Sequence, residues 1–496
     1  MTEIRIIVVP LQSDNESKEM QRLLLLLTIL LTVHAHLTAS NDQETTRRVK
    51  YKYGPAYIYR VALADKQGSG YSLEHPSWFL SRRSLERRRR QGLPLDSTDL
   101  PVSRRYMRLI ESKDVNIIGQ SRWQNTLLVR VRDSALIQRI SQLPCVKSCK
   151  LVWQAPDSVI PTAVKTKYHE QFEERDSVKD DYYGQASKQI TTLRGDRLHD
   201  IGLSGEAMMI AIIDGGFKNV NKIPAFQHVD IRGHQDFVFP ASPDIFSETD
   251  HGTKVLSAMA LNIPYDYIGS APKACYWLLR SEDQQTEQEV EEDYWTMAAE
   301  FADSVGCDII NSSLGYNEYD NRDLSYRLFH LDGKTAFISR TASMLAQKGI
   351  ILINSAGNSG MGHWKKIGFP ADADHILTVG AITADKPYDI AAFSSVGPTQ
   401  DGRVKPDVVA IGAPTFLING HGILTQDMGT SFSTPTICGL VACLWQALPH
   451  LTAEDIIQLI RLTSNNYEHP DNVYGFGVPN FWQAYMLGRL EAVKGK

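Results

Sequence analysis

The sequence predicts an α/β protein in which a doubly wound parallel sheet with helices on both faces is preceded by a small α+β domain. Three observations lead there. Beyond about residue 195, short apolar runs alternate with helical patterns, as a parallel sheet buried on both faces requires. From 41 to 155 a shorter stretch mixes strand-like and helical segments. Between the two, residues 156–194 are largely polar and lack apolar periodicity, as a linker would. A chain of 496 residues exceeds one ordinary domain. Its 43% hydrophobic and 22% charged residues, with a net charge of -5, fit a globular protein and leave no basic footprint for nucleic acid.

Taken in order, residues 1–39 read as a signal peptide. Met20-Gln21-Arg22 leads into the apolar run Leu23 to Val33 and the small-residue pattern Val33-His34-Ala35, and Met20 is taken as the start. The run is about half the length a bilayer demands, so no stable membrane span is expected. No cysteine follows it at a position suited to lipid attachment, which favours export to the periplasm or the exterior. In 41–155 the strand-like stretches are Ala56 to Ala62, Thr126 to Val131 and Val146 to Trp153. The run RRSLERRRR, Arg82 to Arg90, lies among apolar residues and reads as an amphipathic helix with a solvated face rather than a nucleic-acid patch. The mixed-charge stretch Glu173 to Asp181 marks a processing zone inside the linker. Six cysteines are too few for a disulfide scaffold in a chain of this size. Cys438 and Cys443 read as buried thiols, and Cys145 and Cys149 either bridge or stay free.

In 195–490 the apolar strands include Met208 to Ile213, Ala274 to Leu279, Asp308 to Ser313, Ile350 to Ser355 and Ile376 to Ala381, with helical patterns between them. In such sheets reactive groups gather at the carboxyl ends of strands. Asp214 closes MIAIID, although an aspartate before two glycines is also a turn former. His251 opens the helical HGTKVLSAMA, where a capping histidine is the plainer reading. Ser431 lies in GTSFSTP, ahead of an apolar helix from Ile437 to Leu448, with Pro435 placed early in that helix. Helix N-H groups there would stabilise an oxyanion, though a serine cap is as simple. Asn358 follows the strand ILINS in the glycine-rich NSAGNSG and is either a turn residue or an amide donor. His228, Asp230, His234 and Asp236 lack ligand spacing and read as loop and strand residues, so no metal is assigned.

The joint order Asp, His, Asn, Ser resembles the subtilase family. The resemblance runs over roughly 195 to 485 and includes FSSVGP (Phe393 to Pro398), KPDVVA (Lys405 to Ala410) and YGFGVPN (Tyr474 to Asn480). It implies a triad of Asp214, His251 and Ser431, with Asn358 in the oxyanion hole. NSSLG, Asn311 to Gly315, looks like the family's strand that binds substrate backbone, giving Ser313, Leu314 and Gly315 that role. Ala356 and Gly357 are small enough to leave a spacious apolar pocket beside the reacting bond. Residues 41–155, with SWFLSRRSLERR, resemble the N-terminal part of subtilases from Bacteroidetes-type bacteria, which implies an inhibitory, folding-assisting propeptide. The resemblance therefore implies an exported serine endopeptidase, made as a zymogen, acting on protein or peptide substrates through an acyl-enzyme. It requires no cofactor, and structural calcium, common in the family, has no readable loop here. Between Gly315 and Ile350 the chain departs from short family members with an aromatic segment carrying Tyr316, Tyr319, Tyr326 and Phe329, where cleavage preference is expected to reside. Two rival readings are a non-catalytic binding protein on the same fold and an enzyme that passes the acyl group to an amine.

Overall fold

In a computed structural model, residues 49–50, 56–159, 181–240 and 244–494 are described. The expected signal peptide and most of the expected linker, with its processing zone, lie outside them. The chain divides into two compact units. One comprises Met1–Lys52 and Asp157–Val164, and its described part is the antiparallel pair of Val49–Lys50 with Ser158–Val159. The other, Tyr53–Pro156 with Lys165–Lys496, holds a seven-stranded and a four-stranded sheet besides two antiparallel strand pairs.

The larger sheet has seven strands, all parallel to their neighbours, in the order Val408–Ala413, Leu377–Thr383, Ile351–Ser355, Ile309–Ser312, Met209–Asp214, Cys275–Arg280, Asp230–Asp236. Successive side chains of a strand point to opposite faces. Ile210 and Ile212 accordingly pack with Val255, Leu256, Ile437 and Leu440 of helices His251–Ala260 and Thr430–Ala447. Ala211 and Ile213 pack instead with Trp295, Ala298, Ile338 and Ala342 of helices Val290–Val305 and Phe337–Met344. This is the doubly wound arrangement that the near-continuous apolar runs predict. From Met209–Asp214 the chain first fills one side of the sheet and then crosses to the other at Ile309–Ser312. A crevice opens beyond the carboxyl ends of strands at such a switch point.

The smaller sheet is antiparallel, in the order Asn116–Ser121, Thr126–Val131, Tyr57–Leu63, Val146–Gln154. Val61, Leu63, Leu127, Val129 and Val131 form its core with Val102, Ile110 and Ile140. It rests on helix Val290–Val305. Glu300 of that helix accepts from the Ser121 hydroxyl and from the Arg122 and Trp123 amides at 2.5, 2.8 and 3.0 Å. The Trp123 indole is buried in the larger domain's core.

The arginine-rich run does form a helix, Arg82–Arg90, capped by the Ser81 hydroxyl at the Ser84 amide. It has the expected solvated face in Arg82, Arg89 and Arg90, but not all of its charges lie there. Arg87 and Arg88 are both buried and, with Arg122, converge on the fully buried Asp303 carboxylate. Three cations hold that carboxyl at about 2 against the opposing effect of burial. Arg87 also donates to the carbonyls of Cys307 and Lys348 at 2.6 and 3.2 Å, capping backbone that the fold leaves bare. All six cysteines are free, so Cys145 and Cys149 do not bridge.

Candidate active site

Asp214 is the last residue of strand Met209–Asp214 and is almost fully buried. His251 is the first residue of helix His251–Ala260. The two elements approach through glycine: a Cβ at Gly252 would lie 2.5 Å from the Gly216 carbonyl oxygen, and the Gly252 amide bonds that oxygen at 3.1 Å. The His251 Nδ1 consequently sits 2.9 Å from both Asp214 carboxylate oxygens. A carboxylate only accepts, so Nδ1 carries a proton, and in the neutral imidazole Nε2 keeps its lone pair. Burial disfavours the imidazolium, but Asp214, by charge and hydrogen bond, with a smaller push from Glu282, outweighs it and raises His251 to about 9.

Ser431 is the second residue of helix Thr430–Ala447, which starts seven residues earlier than the apolar pattern suggests. Pro435 is therefore inside the helix, not at its first turn. Lacking an N-H, it leaves the Ser431 carbonyl without its helical donor, and the Ser313 hydroxyl takes that place at 2.9 Å. The Ser431 hydroxyl donates in return to the Ser313 carbonyl at 3.1 Å. The nucleophile helix is thereby pinned to the end of strand Ile309–Ser312. In this resting arrangement Ser431 bonds Ser313 rather than His251, and catalytic hydrogen bonds of unliganded enzymes are commonly unformed.

Asn358 follows strand Ile351–Ser355 through Gly357, whose φ of 104° suits only glycine. Its Oδ1 accepts from the Thr430 amide and hydroxyl, both at 2.9 Å. Fixing the oxygen fixes the amide: Nδ2 faces the cleft, unbonded to any described residue. The Ser431 N-H, in the first turn of its helix, is equally free.

These groups meet in one cleft of about 430 Å³ lined by His251, Ser313, Leu314, Gly315, Ala356, Gly357, Asn358 and Ser431, so every residue given a catalytic or backbone-binding role from the sequence, except the buried Asp214, reaches its wall. The Gly315 amide and carbonyl have no partner among the described residues, which leaves them open to an added strand. Of the aromatic segment Tyr316 and Tyr319 are buried and Tyr326 is half-buried, whereas Phe329 is 63% exposed. Tyr319 and Tyr326 hydroxyls bond Glu292 at 2.5 and 2.6 Å, and Tyr326 packs on Phe369 at 4.3 Å. From 316–349 only Asn317 lines the cleft. A run of tyrosines behind an apolar strand shields buried carboxylates here, which the sequence pattern does not distinguish from a substrate surface.

Among the cleft residues that the sequence reading passes over, Glu282 is the acid. Glu282 lies two positions beyond strand Cys275–Arg280, whose last residue pairs in register with Asp214. The strand-end rule that selected Asp214 points to it equally. Among the described residues no cluster of three His, Cys, Asp or Glu is placed to hold a metal. Asp236 pairs with Arg280, Asp230 with Arg232, and His234 packs on Phe246.

Residues 205–477 match the model of the subtilase family, and residues 58–171 match the Peptidase S8 propeptide domain of Bacteroidota. The chain belongs to the subtilase family and is a serine endopeptidase preceded by a propeptide domain. It is 27% identical to subtilisin DY of Bacillus licheniformis over 56% of this chain and 90% of that protein. Subtilisin NAT of Bacillus subtilis subsp. natto is 26% identical over 62% of this chain and 73% of its own length. Serine protease AprX of Bacillus subtilis is 33% identical over a shorter stretch, 27% of this chain and 34% of its own.

Proposed function

We propose that the chain is an exported zymogen whose mature form hydrolyses peptide bonds with Ser431 as nucleophile, His251 as base and Asp214 as its orienting partner. The observation that carries this reading is the double contact of Asp214 with His251 Nδ1 in the cleft that also holds Ser431. A peptide strand adds along Ser313 to Gly315, and its P1 side chain enters the space left by Ala356 and Gly357. The Ser431 hydroxyl rotates from the Ser313 carbonyl toward His251 Nε2, gives up its proton and attacks the scissile carbonyl. The oxygen, now negative, is met by Asn358 Nδ2 and the Ser431 N-H. Collapse breaks the C-N bond, with the His251 proton passing to the amine, and water then hydrolyses the acyl-enzyme by the same relay.

The domain boundaries that suit this reading are 41–155 for the inhibitory propeptide, 156–194 for a linker containing the maturation site, and 195–490 for the catalytic domain. Export rests on the apolar run Leu23 to Val33 and its basic start. The described residues contain no helix long and apolar enough to cross a membrane. A fluorophosphonate should label the matured enzyme on Ser431 alone, and Ser431→Ala should abolish labelling and lower kcat by about 10⁴- to 10⁶-fold. Labelling that persists in Ser431→Ala would remove the nucleophile from this scheme.

A further inference from the structure

Of the residues lining the cleft, Glu282 alone is an acid, since Asp214 is buried behind His251. It forms no ion pair among the described residues. One oxygen receives only the Tyr316 hydroxyl, at a long 3.4 Å. The other lies beside Gly215, where an added Cβ would stand 3.2 Å from it and 2.7 Å from the Gln284 Nε2, so glycine leaves room there for both side chains. Arg280, whose charge also reaches Glu282, is committed to Asp236 and Glu248 and donates to the Gly215 carbonyl. The groups whose charge reaches Glu282 are Asp214, His251, Arg280 and the carboxylates of Glu287 and Glu291. Burial, then the charge of Asp214, pushes its carboxyl up to about 7. An acid held in this state gains from any cation brought to it.

We propose that Glu282 determines specificity by binding a lysine or arginine side chain of the substrate, at the residue preceding the one whose carbonyl is attacked. The position follows from strand geometry and rests on the protease reading above. A peptide extended along Ser313 to Gly315 places its P1 side chain against Ala356 and Gly357. Side chains of a strand alternate, so the preceding residue points away from Ala356 and Gly357, and His251 and Glu282 are the cleft residues we assign to receive it. Tyr316 holds the carboxylate from below and so gives part of the aromatic segment an indirect part in recognition.

The test uses enzyme matured from the full chain and peptides that share one P1 residue and differ only before it, as Lys, Arg, Leu or Glu. Fluorophosphonate titration fixes the concentration of active enzyme. The wild type is expected to show a kcat/KM ratio for Lys over Leu of about 10 to 100, the range of one charge-assisted hydrogen bond. Glu282→Gln should bring that ratio close to one, and Glu282→Lys should turn the preference toward Glu. A wild type indifferent to charge at this position overturns the proposal without any variant, and so does a Glu282→Gln enzyme that keeps the wild-type ratio while losing activity uniformly, because that marks a residue acting only through His251. Enzyme that is labelled yet indifferent to charge leaves the protease reading standing, whereas enzyme that is neither labelled nor active on any peptide sinks both.

Discussion

The cleft and the seam between the two domains are built on opposite terms. In the cleft, polar groups are left without partners among the described residues: Asn358 Nδ2, the Ser431 N-H, the Gly315 amide and carbonyl, and one oxygen of Glu282. In the seam, the carboxylates of helix Val290–Val305 are matched across it. Asp303 meets Arg87, Arg88 and Arg122, Asp293 meets Arg60 at 2.5 Å, and Glu300 receives three donors from the turn at Ser121. Buried polar groups are costly when unpaired, so a surface meant for substrate must be reachable by water, while one meant to hold a domain need not be. The difference teaches that the N-terminal domain's grip can lie outside the site it guards.

The sharpest way to break this contrast is at Asp303, whose described side-chain partners all belong to the N-terminal domain. Asp303→Asn leaves three arginines, two of them fully buried, facing an uncharged amide. Breaking such a buried cluster costs about 3 to 5 kcal/mol. Chemical denaturation should show that loss in the full chain and little of it in the mature enzyme, where the arginines are gone. The sign with pH follows: the carboxyl is depressed in the folded chain, so its contribution is present above its ordinary value near 3.8 and fades only as pH falls toward about 2. Mild acid should therefore not release the domain through Asp303.

In the cleft, removing an unpaired group costs rate rather than stability. Asn358→Ala should reduce kcat by about 10²- to 10³-fold, with KM little changed, because its Nδ2 is engaged only by the oxyanion. Its Oδ1 does bond Thr430, so a modest fall in stability is also expected. Unchanged kcat in steady-state assays would overturn the oxyanion assignment and with it the idea that the free donors of the cleft serve the reaction.

A smaller effect concerns proton affinity. His251 must be neutral to accept the Ser431 proton, and its raised pKa keeps it charged to higher pH than an ordinary imidazole. The acid limb of kcat/KM should accordingly lie above 6.5 and toward 9, falling about tenfold per pH unit below it. Glu282→Gln removes one of the charges that sustain the imidazolium, so the limb should move to lower pH. A limb at or below 6.5 in the wild type would mean that the carboxylates near His251 do not govern its titration.

What could be read from the sequence divides along the same line. Asp214, His251, Asn358 and Ser431 were legible because each ends a strand or opens a helix, a local pattern, and the fold brings those ends together. The seam was not. Arg60 and Asp293 are 233 positions apart, and Arg87 and Asp303 are 216 apart, so no local periodicity links them. Arg82–Arg90 read as solvated because a helix's own charges do not tell what covers them. The helix of Ser431 read as starting at Ile437 because Thr430 to Thr436 is largely polar and contains Pro435; that stretch is helical all the same, with the Ser433 and Thr434 hydroxyls turned back to the Thr430 carbonyl. Glu282 was legible in principle and missed, since LLRSE runs just past the end of its strand, close to where MIAIID ends at Asp214.

The smallest expected effect lies at the seam's edge, and it marks where the contrast stops. Lys150 bonds Glu289 at 2.6 Å, but its side chain is 53% exposed. An ion pair with one end in water contributes about 0 to 1 kcal/mol and is screened by salt. Burial already pushes the Glu289 carboxyl upward, so on losing the lysine it can shed its charge by taking a proton instead of remaining buried and unpaired. Lys150→Ala should therefore lower the stability of the full chain by less than about 1 kcal/mol, and the difference should vanish at high salt. A loss comparable to that of Asp303→Asn would mean that the whole seam acts as one network, in which an exposed pair is as costly to break as a buried one.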